Sequence, residues 1–518
     1  MRRVGIYGWG LVAPKSPNIE AFKRNLRQNE SWLTPFNGFG PDNFLVGMPQ
    51  FDFGDYRQWI DERFSSGRFQ KLSEKMDLCT QYAIGAFVQA LGQNPGLEEL
   101  LSELGTAAHV YIGTGLGPLP TIHDESLRLH KAQRRWNRFW SDPSRNGALK
   151  SYLQGSETAE DAPPPPEDVP EAARDEAESA WWSYWSKRSP ELQEYLHEVR
   201  QIEAMNVEGN IEQAKIRVIK QKRRLHARLQ QKWGAPDPPW TEVSANLIWN
   251  IQNTPASQIS MLGKITGLSM APVAACSTFG VALKLAMDAI NRGEAKAVVM
   301  GATDPPPHAL TVSAFYNARV ISADAEVSKP LSRLRGTHIS GGSVVWILGD
   351  YEYLSQRGLR PLGMEPLAVG VSSDADHIIT PSKEGPTTAM RQALSQAGQQ
   401  AQDITEWDLH ATATPGDYLE VENLRDLVGD EVLITARKGT FGHGMSAGGG
   451  WELTAQYLGH EEGEIFPTPL PDRQLHAEIR RLHQRFVFDA PCAVSKGVAG
   501  KLSMGIGGIN ACVISRPW

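Results

Sequence analysis

The sequence predicts an α/β protein in which helical layers enclose buried sheets. Short aliphatic and β-branched runs alternate with helical patterns along the chain, and the runs fall into two sets. The first set is His109–Gly113, Ala297–Gly301 and Val344–Leu348; the second is Leu367–Val371, Trp407–His410 and Val432–Thr435. A length of 518 residues would by itself suggest about three domains. The two sets of strands point instead to one large body of two similar halves, although no repeat is visible when the halves are compared residue by residue.

The apolar stretch after Arg2-Arg3 is short and broken by glycines, so it reads as a strand and not as a signal peptide or a twin-arginine address. Gly113-Thr114-Gly115-Leu116-Gly117 follows a strand, but Pro118 stands where a dinucleotide fingerprint needs its last glycine, and no Gly-Lys-Ser/Thr phosphate loop occurs. The composition, with 21% charged residues and a net charge of −7, gives no basic excess and so no expectation of nucleic acid. No window approaches the roughly 18 consecutive apolar residues of a membrane span. Cys79, Cys276, Cys492 and Cys512 form neither a C-x-x-C pair nor a zinc spacing, so the expectation is a reducing, cytoplasmic compartment and no metal.

Cys276 carries the chemistry. It lies in Ala274-Ala275-Cys276-Ser277-Thr278-Phe279-Gly280, directly before a helix pattern of Val281, Leu283, Leu285, Ala286, Ala289 and Ile290. A thiol at a helix start faces free backbone N–H groups, which favours the thiolate and predicts a pKa below the ordinary value of roughly 8.5. The plain alternative is an inert, buried cysteine. Two histidines lie far downstream, His410 in His410-Ala411-Thr412-Ala413-Thr414-Pro415 and His443 in Lys438-Gly439-Thr440-Phe441-Gly442-His443, with Glu452 nine residues further on.

This order of motifs resembles the elongating β-ketoacyl-(acyl carrier protein) synthases, enzymes of the thiolase fold. The opening Arg2–Pro14, the segments Met76-Asp77 and Gln81-Tyr82-Ala83, and the terminal Ser503-Met504-Gly505-Ile506-Gly507-Gly508-Ile509-Asn510-Ala511 are similar to that family as well. The resemblance implies a five-layered αβαβα fold, with residues 1–350 carrying the nucleophile and 351–518 both histidines. It implies decarboxylative Claisen condensation, in which Cys276 holds the acyl chain and His410 and His443 stabilise the enolate of a malonyl-type thioester on an acyl carrier protein. It nominates the backbone N–H groups of Cys276 and Ile506 as an oxyanion hole, and Lys438 with Glu452 as a buried ion pair that orients His443. Thr412 and Thr414 are expected to bind the pantetheine arm, and Phe279 and Ile506 to contact substrate. No cofactor is implied. A dimer is implied, either with an identical chain or with a sister ketosynthase.

The chain departs from the family pattern at several places. Ser332-Arg333-Leu334-Arg335-Gly336-Thr337-His338 replaces an acidic loop, Gly341-Gly342-Ser343 replaces Gly-Glu-Gly, Ile506 replaces a phenylalanine, and the segment from Pro415 to Asp417 is one residue short. These changes favour a specialised lipid or polyketide pathway. Residues from about 120 to about 240 lie outside the resemblance and are expected to form a helical insertion. It contains seven tryptophans, among them Trp136, Trp181 and Trp233, and one helical pattern from about Leu192 to Trp233. Lys215, Arg217, Lys220, Lys222, Arg223, Arg224 and Arg228 form a basic run there, read either as a solvated face or as a dock for an acidic carrier. His338, His123 and His130 show no partner pattern. Two further functions remain open: a thiolase-like acyltransferase that condenses without decarboxylation, and a non-catalytic partner subunit.

Overall fold

A computed structural model describes residues 2–40, 43–206, 211–378, 382–494 and 497–518. The chain forms two compact units, one of Met1–Pro120 with Ile248–Trp518 and one of Thr121–Leu247.

The larger unit is built on two principal sheets. In the first, the strands lie in the order Val4–Val12, Gly342–Asp350, Ala297–Asp304, Ala108–Gly113, Ser269–Met270. In the second, the order is Met364–Ser373, Ile509–Pro517, Val498–Gly505, Ile404–Asp408, Leu433–Thr435, with Arg485–Phe486 added at the edge. With the short edge strand Arg485–Phe486 left out of the count, both sheets read first, fifth, fourth, second, third strand along the chain. The directions agree too, with two antiparallel pairings followed by two parallel ones. The duplication that the residues conceal is thus explicit in the topology.

The strands are apolar on both faces because both faces are covered. Val298 and Met300 join Val344, Trp346 and Leu348 in the core between the sheets, while Ala297 and Val299 join Val345 and Ile347 in the outer core of the first sheet. Each large aliphatic side chain so buried contributes about 1.5–3 kcal/mol. Helix Leu78–Leu91 covers the outside of the first sheet and Glu384–Ala397 the outside of the second. Between the sheets lie Thr278–Arg292 and Met445–Glu462, which pack on each other and on strands of both sheets. The result is five layers. Contact in the middle layer depends on Gly450, where a Cβ would stand 2.5 Å from Val344 Cγ1 and 2.6 Å from the Phe279 ring.

The smaller unit is helical. Leu119–Trp140, Gly147–Leu153, Arg174–Lys187, Pro190–Glu203 and Ile211–Trp233 are its helices. Its tryptophans form cores, one of Trp136, Trp140, Tyr195 and Leu229, the other of Leu149, Trp181 and Trp185. The single helix expected from about Leu192 to Trp233 is two helices: the first, capped by Ser189 with Pro190 at its first turn, ends at Glu203. Lys222 and His226 of the second reach back to Glu203 at 2.9 and 2.7 Å. The other six residues of the basic run are exposed. Among the described residues, no helix is long and apolar enough to cross a membrane.

Candidate active site

Cys276 sits in a 3-10 turn, Ala275–Ser277, that opens directly into Thr278–Arg292. The turn is sharp enough to hold Ala275 at φ 47°, a conformation that a residue with a Cβ adopts at a cost of about 1–2 kcal/mol. Thr278 secures it, accepting from Ala274 N–H at 2.9 Å and donating to Ala275 O at 2.7 Å. Ser277 ties the turn to the second sheet by donating to Ser503 O and Ile509 O at 3.0 and 2.7 Å. Gly505 ends the strand that arrives there; a Cβ on it would stand 2.9 Å from Ala274 O, so glycine permits the approach.

The thiol is not acidic. Burial pushes Cys276 up to about 11, although the N–H of Ile506, the charge of Lys438 and its own N–H act in the other direction. The expected lowering by the helix start fails because the sulfur is almost wholly withdrawn from water. The same N–H contacts place the two nominated oxyanion donors, Cys276 and Ile506, beside the sulfur.

His410 follows strand Ile404–Asp408, in a loop held by two carboxylates of helix Gly416–Val428. Glu420 accepts from the N–H groups of His410 and Ala411 at 2.6 and 2.8 Å. Asp417 accepts from Thr412, Ala413 and Thr414, and from Leu331 across the loop. Burial raises Asp417 to about 6 and Glu420 to about 7. Neither residue was singled out from sequence, where each reads as an ordinary acidic residue in a helix's first turns.

His443 is fixed by its N–H donating to His338 O at 2.6 Å. Its Nδ1 accepts from Met445 N–H at 3.1 Å, which leaves the proton on Nε2. Nδ1 of His410 faces the ammonium of Lys438 at 3.4 Å, so this ring too carries its proton on Nε2. Burial drives His443 down to about 3 and His410 well below the usual range, with Lys438 and Lys501 adding to both shifts. Both imidazoles are neutral donors, their ring centroids 5.4 Å apart. His338, which showed no partner in the sequence, is a structural latch. Its Nε2 accepts from Ser328 N–H at 2.7 Å and its Nδ1 donates to Leu45 O at 3.0 Å.

Behind the histidines lies a buried ion network. Lys438 donates to Glu452 Oε1 at 2.6 Å and to the carbonyl of His410. The pair is as expected, but its direct ligand is His410 and not His443, because the loop after Leu409 passes over the ammonium. Three members were not foreseen. Lys501 meets Glu452 Oε2 at 2.7 Å and Asp408 Oδ1 at 3.5 Å, and Arg437 Nε meets Asp408 Oδ2 at 3.0 Å. A lone lysine in the otherwise small and apolar strand Val498–Gly505 was the signal available for Lys501.

Cys276, His410 and His443 line one cavity of about 470 Å³, together with Thr412, Thr414 and Ile506. The two threonine hydroxyls lie 3.0 Å apart, and Ile506 is 42% exposed at the rim. Phe279 does not belong here. The second residue of the helix, it is buried in the core, edge-on to Trp346 at 5.0 Å.

With a thiol and two neutral imidazoles at one cavity, comparison with known proteins becomes informative. The profile for "Beta-ketoacyl synthase, N-terminal domain" matches residues 225–352, and that for "Beta-ketoacyl synthase, C-terminal domain" matches residues 365–470. The chain is similar to the β-ketoacyl synthases in two consecutive segments. It is 31% identical over 230 residues to Nodulation protein E of Rhizobium meliloti, a match spanning 42% of this chain and 57% of that protein. It is 29% identical over 280 residues to 3-oxoacyl-[acyl-carrier-protein] synthase 2 of Rhizobium meliloti (strain 1021), over 51% of this chain and 64% of the other. The chain thus spans somewhat more than half the length of these relatives. Among solved structures, the ishigamide ketosynthase/chain length factor superposes with a TM-score of 0.70 at 18% identity, covering 100% of this chain and 99% of that one. The five-layered body has the thiolase-like fold of these ketosynthases, with a helical insertion in its first half.

Proposed function

We propose that the chain is a β-ketoacyl synthase that condenses an acyl group held on Cys276 with a malonyl-type unit on an acyl carrier protein. The observation that carries this is the meeting of the thiol with two imidazoles that are both neutral and both offer Nε2–H. In loading, the sulfur attacks the acyl carbonyl, the carbonyl oxygen takes its charge to the N–H groups of Cys276 and Ile506, and the carrier thiol leaves with the proton. In condensation, the malonyl carbon–carboxylate bond breaks to release carbon dioxide. The enolate oxygen accepts from His410 and His443, and the enolate carbon attacks the Cys276 thioester. The carbon–sulfur bond then breaks and the thiolate takes up a proton.

Neutral donors suit this sequence. An imidazolium would hold the malonyl carboxylate, stabilising the ground state as much as the enolate, whereas a neutral N–H gains most when charge reaches the enolate oxygen. Thr412 and Thr414 are assigned to the pantetheine arm, and Lys438 with Glu452 to the orientation of His410. The two halves, residues 1–350 and 351–518, supply nucleophile and donors respectively. The carrier-protein substrate is supported by the name of the 3-oxoacyl synthase relative, and a dimer with an identical or sister chain by the ketosynthase/chain length factor neighbour. The departures at Ile506 and in the 332–338 loop favour a specialised lipid or polyketide product, made in the cytoplasm.

Intact-mass analysis tests the proposal. Wild type should gain one acyl group at Cys276 and then release β-ketoacyl product on addition of malonyl carrier. His410→Ala and His443→Ala should load but not condense. Acyl label on Cys79, Cys492 or Cys512 in place of Cys276, or full condensation by either histidine variant, refutes it.

A further inference from the structure

We propose that Lys501 is a positioning residue for the condensation step, a fixed internal cation that holds Glu452 and the His410 loop in register. The inference rests on the condensing reading above and deepens it. Lys501 is fully buried, and every polar neighbour of its ammonium is an oxygen. It donates to Leu502 O at 2.6 Å and Leu409 O at 3.3 Å, and it forms ion pairs with Glu452 Oε2 at 2.7 Å and Asp408 Oδ1 at 3.5 Å. Leu409 immediately precedes His410, so this amine grips the backbone on which the first imidazole is mounted.

Glu452 is the hub. One carboxylate oxygen takes Lys438 and the other takes Lys501. By occupying the second oxygen, Lys501 fixes the plane of the carboxylate, which in turn aims Lys438 at His410 Nδ1 and its carbonyl. Burial would raise the Glu452 pKa, but the two lysines hold it below the usual range. Burial would likewise lower that of Lys501, but Glu452 and Asp408 keep it raised. The charged and titratable groups around the amine are Glu452, Asp408 and Glu420, with the Cys512 thiol of the neighbouring strand, and with Lys438, Arg437 and the two neutral histidines beyond them.

The charge balance makes Lys501 a usable probe. The network contains three cations, Lys438, Lys501 and Arg437, and two carboxylates, Glu452 and Asp408. Replacing Lys501 by a neutral residue leaves one cation for each carboxylate, Lys438 for Glu452 and Arg437 for Asp408. No buried anion is stranded, and stranding one is the costly outcome when buried pairs are broken. What is lost is the second hold on Glu452 and the grip on Leu409 O.

The experiment compares wild type, Lys501→Met and Lys501→Ala in acyl loading at Cys276, single-turnover condensation and thermal unfolding. Condensation should fall about 10–100-fold, the range found for partners that orient a reacting group, while loading changes far less. Its acid limb should move to higher pH, because removing a nearby cation makes the histidines easier to protonate. Propylammonium, the missing part of the side chain in Lys501→Ala, should restore activity where 1-propanol does not. Unchanged condensation and pH profile in Lys501→Met overturn the inference, as do parallel losses of loading and condensation, or equal rescue by propanol. If wild type itself loads without condensing, the condensing reading fails and the inference falls with it, an outcome that the wild-type trace alone reports.

Discussion

The neutrality of His443 has a measurable consequence over the pH range in which histidine ordinarily titrates. Its pKa is driven down to about 3 by burial and by Lys438. At pH 5 such a group is about 1% protonated, whereas a histidine at the ordinary value of roughly 6.5 would be about 97% protonated. Protonation of His443 should therefore contribute no loss of single-turnover condensation near pH 6.5 in enzyme already acylated on Cys276, so any change between pH 7 and pH 5 should follow Glu420 and Asp417, which titrate near 7 and 6. The same shift bears on stability. Between pH 6.5 and about 3 the unfolded chain binds a proton that the native His443 does not, so stability declines as pH falls through that window, by up to about 5 kcal/mol at 1.36 kcal/mol per unit. His410 and His338 have lowered values and act in the same direction. The assay is rate against pH on pre-acylated enzyme, paired with urea unfolding at pH 7 and pH 5. Half-loss of condensation near pH 6.5 that persists in Glu420→Gln and Asp417→Asn, with undiminished stability at pH 5, would refute the assignment of a neutral donor.

Three further outcomes are expected. Because burial holds Cys276 at about 11, its alkylation by iodoacetamide should rise about tenfold per pH unit between pH 7 and 10, and a plateau near pH 8.5 would contradict the burial argument. Gly450→Val places a side chain where a Cβ already meets Val344 and Phe279, so the midpoint of urea unfolding should drop by an amount equivalent to about 1–3 kcal/mol; an unchanged midpoint would show that the middle layer is looser than described. Reversal of Lys215, Arg217, Lys220 and Arg223 to glutamate should raise KM for carrier-bound substrate and flatten its salt dependence while sparing a small pantetheine thioester. Equal loss for both substrates would assign these residues a structural role instead.

The residues that touch the cavity were more legible than those that hold them. Cys276, His410, His443, Thr412 and Thr414 stand in local patterns whose spacing reflects a helix start and turns, and local patterns survive in a linear reading. Arg437, Asp408 and Lys501 act only where three strands and a helix converge, so their roles depend on approaches between residues 93 positions apart, as from Asp408 to Lys501. Phe279 was misplaced by proximity. Three residues beyond the nucleophile on a helix is nearly one full turn, and here that face belongs to the core with Trp346. The acidity of Cys276 was misjudged because the helix start is visible in sequence whereas the depth of burial is not. The break at Glu203 was missed because apolar periodicity continues across it, and the repeat was missed because strand order, not residue identity, is what the two halves share.

The hydrogen bonds from Ser277 to the terminal hairpin also set a timetable. The turn that carries the nucleophile is synthesised 226 positions before Ser503, its anchor on the other sheet. At about 5–20 residues per second, roughly 10–45 seconds separate the two on the ribosome. During that interval the sulfur lacks both the cover that suppresses its ionisation and the Ile506 N–H. A sulfur without that cover ionises more readily than the buried one. Burial of Cys276 thus comes late, with the arrival of the hairpin, which both covers the sulfur and brings the N–H of Ile506 beside it.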